Sequence, residues 1–183
     1  MATSRTNIIA HPIRARIILG LTNRTLTIQQ IAALLKDVPR ASLYRHIREL
    51  TNADILMVTG ERRVRGTVEN TYGIRPRSTI LQPEEIAAAS REENLRLVTS
   101  FLGGMTYAYQ AYLAEPEGGT PQEMFTRVLT LNLTTEEFQV VKRQLLEILL
   151  PLEANEPTPE RRRRLICLLG VPDIPVVPVI SEE

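Results

Sequence analysis

Two hydrophobic periods succeed one another in the first 74 residues. Ile13, Ile17, Ile18 and Leu21 recur at helical spacing behind Pro12. A proline ring presets φ for a first helical residue, so Pro12–Leu21 predicts a helix, which Asn23-Arg24 ends. Ile28, Ile31, Ala32 and Leu35 form a second stripe. Thr27 and Gln30 stand at capping-box spacing before it. Asp37-Val-Pro39 predicts a turn, because proline cannot sit inside a helix without breaking it. In the next segment Leu43, Ile47 and Leu50 share one face, and Ala41, Tyr44, Arg45 and Arg48 share the opposite one. Ser42 and Glu49 lie beside the polar group, and Asn52-Ala-Asp54 ends the helix. The period then falls to two. Ile55–Thr59 and Thr67–Ile74 predict strands, joined by Gly60-Glu-Arg-Arg-Val-Arg-Gly66.

Beyond Ser78 the period is helical again. Pro83, Glu84 and Glu85 make a strong helix start, since acids complement the dipole there. Ile86, Ser90, Leu97, Phe101, Met105, Ala108 and Tyr112 give one face of a helix reaching about Ala114. Gly103-Gly104 in its middle costs roughly 1 kcal/mol per glycine. It marks either a kink or a close helix crossing. Pro116–Pro121 is a loop. Phe125–Leu133 alternates like a strand, and Arg163–Leu169 is a second candidate strand that can pair with it. Between them Thr134 and Glu137 open a helix to about Leu152. The tail, Val171–Glu183, carries Pro172, Pro175 and Pro178 and reads as extended or loosely docked.

Two helices, a tight turn, a third helix and an arginine-tipped hairpin are the plan of a winged helix-turn-helix. The expected fold is mainly α with a small β component. Residues 1–78 would form the winged helix-turn-helix. Residues 79–183 would form an α+β dimerisation and effector region built on the long helix.

The formal charge of +1 hides an asymmetry: residues 1–78 carry a net +8 and residues 79–183 a net −7. A basic half joined to an acidic half points to a polyanionic partner for the first half alone. Of 22 basic residues 20 are arginine, which suits bidentate contact with phosphate or guanine. A single cysteine, Cys167, permits no internal disulfide, and the default setting is a reducing cytoplasm. No apolar run approaches a membrane span.

Ala10-His-Pro-Ile-Arg-Ala-Arg-Ile-Ile18, followed by Leu43-Tyr-Arg-His-Ile-Arg-Glu-Leu50 and the hairpin, resembles the ArsR-like winged-helix transcriptional regulators. The likeness covers roughly residues 8–75. It implies a homodimeric regulator of sequence-specific DNA binding, with Arg40–Leu50 as recognition helix. Metal-sensing relatives use clustered Cys and His ligands. Here Cys167, His11 and His46 are far apart in sequence, so neither a metal nor another cofactor is expected.

The residues point to roles, each beside a plainer one. Arg45 and Arg48 can take O6 and N7 of guanine in the major groove; the alternative is a solvated basic face. Ser42 and Tyr44 can reach base or phosphate, and Ala41 a thymine methyl. Arg40 suits a phosphate at the helix N-terminus. Arg62, Arg63 and Arg65 on the wing suit phosphates or a narrow minor groove, against a role in hairpin solubility. His11 reads as a cap or packing residue, His46 as structural, and Cys167 as a buried small hydrophobe rather than a redox sensor. Arg161–Arg164 reads as a solvated, ion-paired run beside Glu153, Glu156 and Glu160. Phe101, Tyr107, Tyr109 and Tyr112 are a candidate effector pocket, with core or dimer packing as the alternative. No nucleophile–base pair, phosphate loop or metal cluster stands out, so no catalysis is expected. The expected protein is a DNA-binding regulator that acts as a homodimer, through the 83–114 helix, on a near-palindromic operator. The alternative is a winged helix that binds a protein partner and no DNA.

Overall fold

The computed structural model describes residues 4–64, 67–79, 81, 83–114 and 125–172. Its elements are α1 (Arg5–Ile9), α2 (Pro12–Leu21), β1 (Leu26–Thr27), α3 (Ile28–Leu34), α4 (Arg40–Asn52), β2 (Leu56–Val64), β3 (Thr67–Ile74), α5 (Pro83–Ala88), α6 (Arg91–Leu113) and α7 (Thr135–Leu149), followed by a 3-10 turn at Leu150–Ala154. The fold is mainly helical with one small sheet, as expected.

Local chemistry accounts for most of the N-terminal boundaries. His11 caps α2 through Nδ1, which accepts from the Ile13 amide at 3.2 Å. Thr27 and Gln30 form the expected capping box on α3. Asn23 and Asp54 take left-handed backbone where α2 and α4 end (φ 52° and 57°). These two residue types tolerate that region because their short polar side chains bond locally. Two elements were not expected, β1 and α1. Ser4 caps the five-residue α1, which clasps the chain after β3: Arg5 donates to the carbonyl oxygens of Arg77 and Ser78.

The core fills the space between α2, α3, α4 and the sheet. Ile17, Leu21, Ile31, Leu43, Leu50, Ile55 and Leu56 are all fully buried. Each contributes about 2 kcal/mol relative to exposure. The sheet order is β1-β3-β2, all antiparallel. β2 runs five residues past the expected Thr59, to Val64, so the hairpin is longer and its loop shorter than the alternation implied. A bulge at Thr59 shifts the register from Val58↔Tyr72 to Gly60↔Thr71.

The long helix expected from Pro83 to Ala114 is in fact two. Ser90 interrupts it by capping α6: its hydroxyl accepts from the Glu93 amide at 3.1 Å, and Glu93 accepts from the Ser90 amide at 2.9 Å. α6 then lies against α1 and α2. Asn7 donates to Glu93 at 2.9 Å, and Ser100 donates to the Ala10 carbonyl at 2.6 Å. The expected inner residues Leu97, Phe101, Met105 and Ala108 are half-buried, and the deepest positions are the small Ser100 and Gly104. Of the two readings of the glycine pair, Gly104 fits the close crossing, since a methyl there would overlap the Leu19 side chain of α2. Gly103 faces open space.

The C-terminal half contains no strand among its described residues, which corrects the expected pairing of Phe125–Leu133 with Arg163–Leu169. The alternation is real, but a strand needs a neighbour for its backbone groups. Here Phe125 and Val128 are about nine-tenths exposed (89% and 91%). Arg163 turns to the helices instead, donating to the carbonyl oxygens of Leu19 and Thr22 at the end of α2. Arg161–Arg164 are all exposed, as a solvated run would be, and Arg163 departs from the expected ion pairing in that its partners are these backbone carbonyls.

The two glycines of α6 should respond oppositely to substitution. Gly103→Ala should raise stability by about 1 kcal/mol, the helix-propensity difference alone. Gly104→Leu should lower it, because it drives α6 off Leu19. Urea melts of both variants check this, and equal shifts would contradict the close crossing.

Candidate nucleic-acid interface

α4 is a helix with two unlike sides. Leu43, His46, Ile47 and Leu50 are buried against the core. Arg40, Ala41, Tyr44, Arg45 and Arg48 are exposed, and Ser42 is half-buried. Tyr44 keeps 57% of its surface open. The one acid on the helix, Glu49, is turned aside: Arg14 of α2 donates to it and also reaches the carbonyl oxygens of Ile8 and Asn7. Arg45 and Arg48 therefore hold the outer face without that carboxylate between them. Pro39 begins the helix with no side-chain cap, so its first-turn amides have no side-chain acceptor from that position.

The turn ahead of α4 is fixed from behind. Arg16 of α2 grips Asp37 with two donors, at 2.9 and 2.5 Å. The hydrogen bond from Arg16 holds the Asp37 carboxyl below its usual range. The same guanidinium lies over the ring of Tyr107 at 3.5 Å, and the Tyr107 hydroxyl donates to the Leu34 carbonyl at 2.7 Å. α6 thereby holds both the end of α3 and the turn that aims α4.

In the hairpin, Arg62 is opposite Glu69 and Arg63 is opposite Val68. Alternation along β3 puts Val68, Asn70, Tyr72 and Ile74 on one face, of which Tyr72 and Ile74 pack on the core and Val68 stays exposed. Arg63 shares that face, and Arg62 lies on the other beside a carboxylate. The bulge at Thr59 decides this, because one residue inserted or removed moves every later side chain to the opposite face. Arg65 lies outside the described residues.

Beneath α4 the structure brings together two residues that are far apart in sequence. The rings of His11 and His46 stand 4.6 Å apart. His46 is buried, and neither of its ring nitrogens has a hydrogen-bond partner; the nearest carboxylate is Glu49, 3.9 Å from Nδ1. Burial lowers both pKa values. Arg14 adds to the lowering at His11, and His11 at His46, while Glu49 opposes it at both. No group of three His, Cys, Asp or Glu able to hold a metal forms among the described residues, and Cys167 lies elsewhere, lining a cleft between α2 and α6. Burial pushes its thiol pKa up. Tyr107, Tyr109 and Tyr112 line the same cleft, and Phe101 does not. Tyr109 and Tyr112 stack with centroids 6.3 Å apart.

Residues 9–59 match the family model of a helix-turn-helix domain. The matched span holds α2, β1, α3 and α4 and ends at Thr59, inside β2. The chain thus carries a helix-turn-helix domain, the architecture of DNA-binding regulators. No curated protein matches the chain. No helix among the described residues is long and apolar enough to cross a membrane.

A lowered histidine pKa means that the unfolded chain binds more protons than the native one between the two values. Stability then rises with pH across that window, and is lost as pH falls below about 6.5 toward the lowered native values. Denaturant melts from pH 7.5 to 5 should show this decline, with a shallower slope in His46→Leu. That change keeps the buried volume and strands no partner. An unchanged slope would contradict the account of the pair.

Proposed function

We propose that this protein is an ArsR-like, sequence-specific transcriptional regulator that binds double-stranded DNA as a homodimer. The observation that carries the reading is the division of α4. Its apolar side is fully committed to the core, and its other side offers Arg45, Arg48 and Tyr44 on a helix-turn-helix frame. Arg45 and Arg48 read base edges in the major groove, where a bidentate guanidinium–guanine pair discriminates by about 1–3 kcal/mol. Tyr44, Ser42 and Ala41 add base, phosphate and thymine-methyl contacts. Arg40 takes a phosphate beside the uncapped first turn. Arg62, Arg63 and Arg65 of the wing track the backbone or the minor groove.

The labour divides near residue 78. The basic part reads DNA, and residues 79–183 supply dimer contacts and sense an effector around Tyr107, Tyr109 and Tyr112, without the Phe101 that the sequence grouped with them. Leu95, Leu102 and Leu113 support the dimer reading, since they are exposed on α6 away from the side that meets α2. Two recognition helices then enter successive major grooves of a near-palindromic operator. No catalytic step is proposed, and the protein works in the cytoplasm.

On an operator selected from random duplex, Arg45→Ala should weaken specific binding by about tenfold or more and leave non-specific binding nearly unchanged. Arg63→Ala should weaken both and flatten the salt dependence, more than Arg62→Ala does, because Glu69 already faces Arg62. Gel shifts across a salt series check all three. Equal operator affinity of wild type and Arg45→Ala would sink the recognition-helix assignment.

A further inference from the structure

A cleft of about 990 Å³ opens between α2, the end of α3, the C-terminal half of α6 and residues 162–167. This is the size of a small-molecule site. Its walls are apolar and aromatic, and several of them stay open: Leu34 and Tyr109 keep 39% and 37% of their surface exposed. Its charge is one-sided. Six arginines and no acid occur among the described residues that line it.

Arg16 is already matched by Asp37. Arg24 and Arg163 are not matched in that way. Arg24 donates through Nε to the Gly20 carbonyl at 2.5 Å, and Arg163 donates to the carbonyl oxygens of Leu19 and Thr22 at 2.8 and 3.1 Å. Two guanidinium groups therefore converge on one helix C-terminus, where burial lowers the pKa of Arg163 and the charge of Arg24 adds to the lowering. The carbonyl end of a helix offers about half a negative elementary charge. Against two full positive charges this leaves a surplus beside an open apolar cleft.

We propose that this cleft binds a small amphipathic organic anion. Its acidic head lies at Arg24 and Arg163, and its apolar body covers Leu34, Tyr107 and Tyr109. The proposal rests on the regulator reading only for its consequence, since the cleft touches α3 and the Tyr107 contact that holds it. Occupancy itself is measured without DNA. The anion is organic rather than a bare phosphate, because an inorganic ion would leave the apolar walls open to water.

Cys167 lines the cleft and is the only cysteine, so its alkylation by iodoacetamide reports on this site and on no other apolar surface. The full-length protein is tested with decanoate, 2-naphthoate and, as a neutral control, decan-1-ol. The anions should slow alkylation at concentrations where decan-1-ol does not. Arg24→Gln should raise the concentration needed by about tenfold, the loss expected for one charged hydrogen bond. Gly20→Met, a helix position facing the cleft, should abolish protection while the protein stays folded by circular dichroism. Protection by neither anion, equal protection by decan-1-ol, or undiminished protection in Arg24→Gln would overturn the proposal. Protection in a protein that binds no duplex would uphold the cleft and refute only the DNA reading.

Discussion

Leu43, Ile47 and Leu50 must be buried on one side of a single helix, and the arrangement of the exposed basic surface depends on that requirement. Three large apolar side chains together represent several kcal/mol of burial. No weak surface contact can rotate α4 against that. Arg45 and Arg48 are consequently held outward by the core itself, with no dedicated contact of their own. The removal of Glu49 to Arg14 completes the arrangement. A carboxylate four residues after Arg45 and one after Arg48 would otherwise compete for the guanidinium groups that a polyanion needs.

A second constraint ties this helix to the rest of the chain. Arg16, Asp37, Tyr107 and the Leu34 carbonyl form one connected set of contacts running from α6 through α2 to the turn before α4. The partners are short-range and directional, and Arg16 takes part in two of the contacts at once. α6 is thereby more than a neighbour of the helix-turn-helix. A displacement of α6 from α2 must loosen the turn that precedes α4, because Tyr107 of α6 holds both the Leu34 carbonyl and the Arg16 that grips Asp37. The wing is set by a different device, the Thr59 bulge, which decides which of two adjacent arginines shares the sheet face turned to the helices.

Much of this was legible in the sequence. The helices at 12–21, 28–34 and 40–52 each joined a start signal to an apolar stripe, and local chemistry and tertiary burial asked for the same thing. The two sides of α4 could be assigned residue by residue. Other features were hidden for identifiable reasons. Five residues of α1 carry a serine cap but too short a stripe to register. The Ser90-Arg-Glu-Glu93 box that starts α6 was present, yet the apolar period running through it made one helix of two. His11 and His46 meet only because α2 crosses α4, which no local pattern encodes. The expected strands of the C-terminal half failed because alternation describes a strand's faces, not its partner.

The central claim is that α4 reads DNA and that two copies do so together. Selection of bound duplexes from a random pool, followed by hydroxyl-radical footprinting of the winner, tests it most directly. The account predicts two related half-sites in inverted orientation, with centres about 10–10.5 base pairs or a multiple of that apart. Arg45→Ala should fail to enrich the same sequence. Enrichment of no sequence, a lone half-site, or the same winner from Arg45→Ala would contradict it.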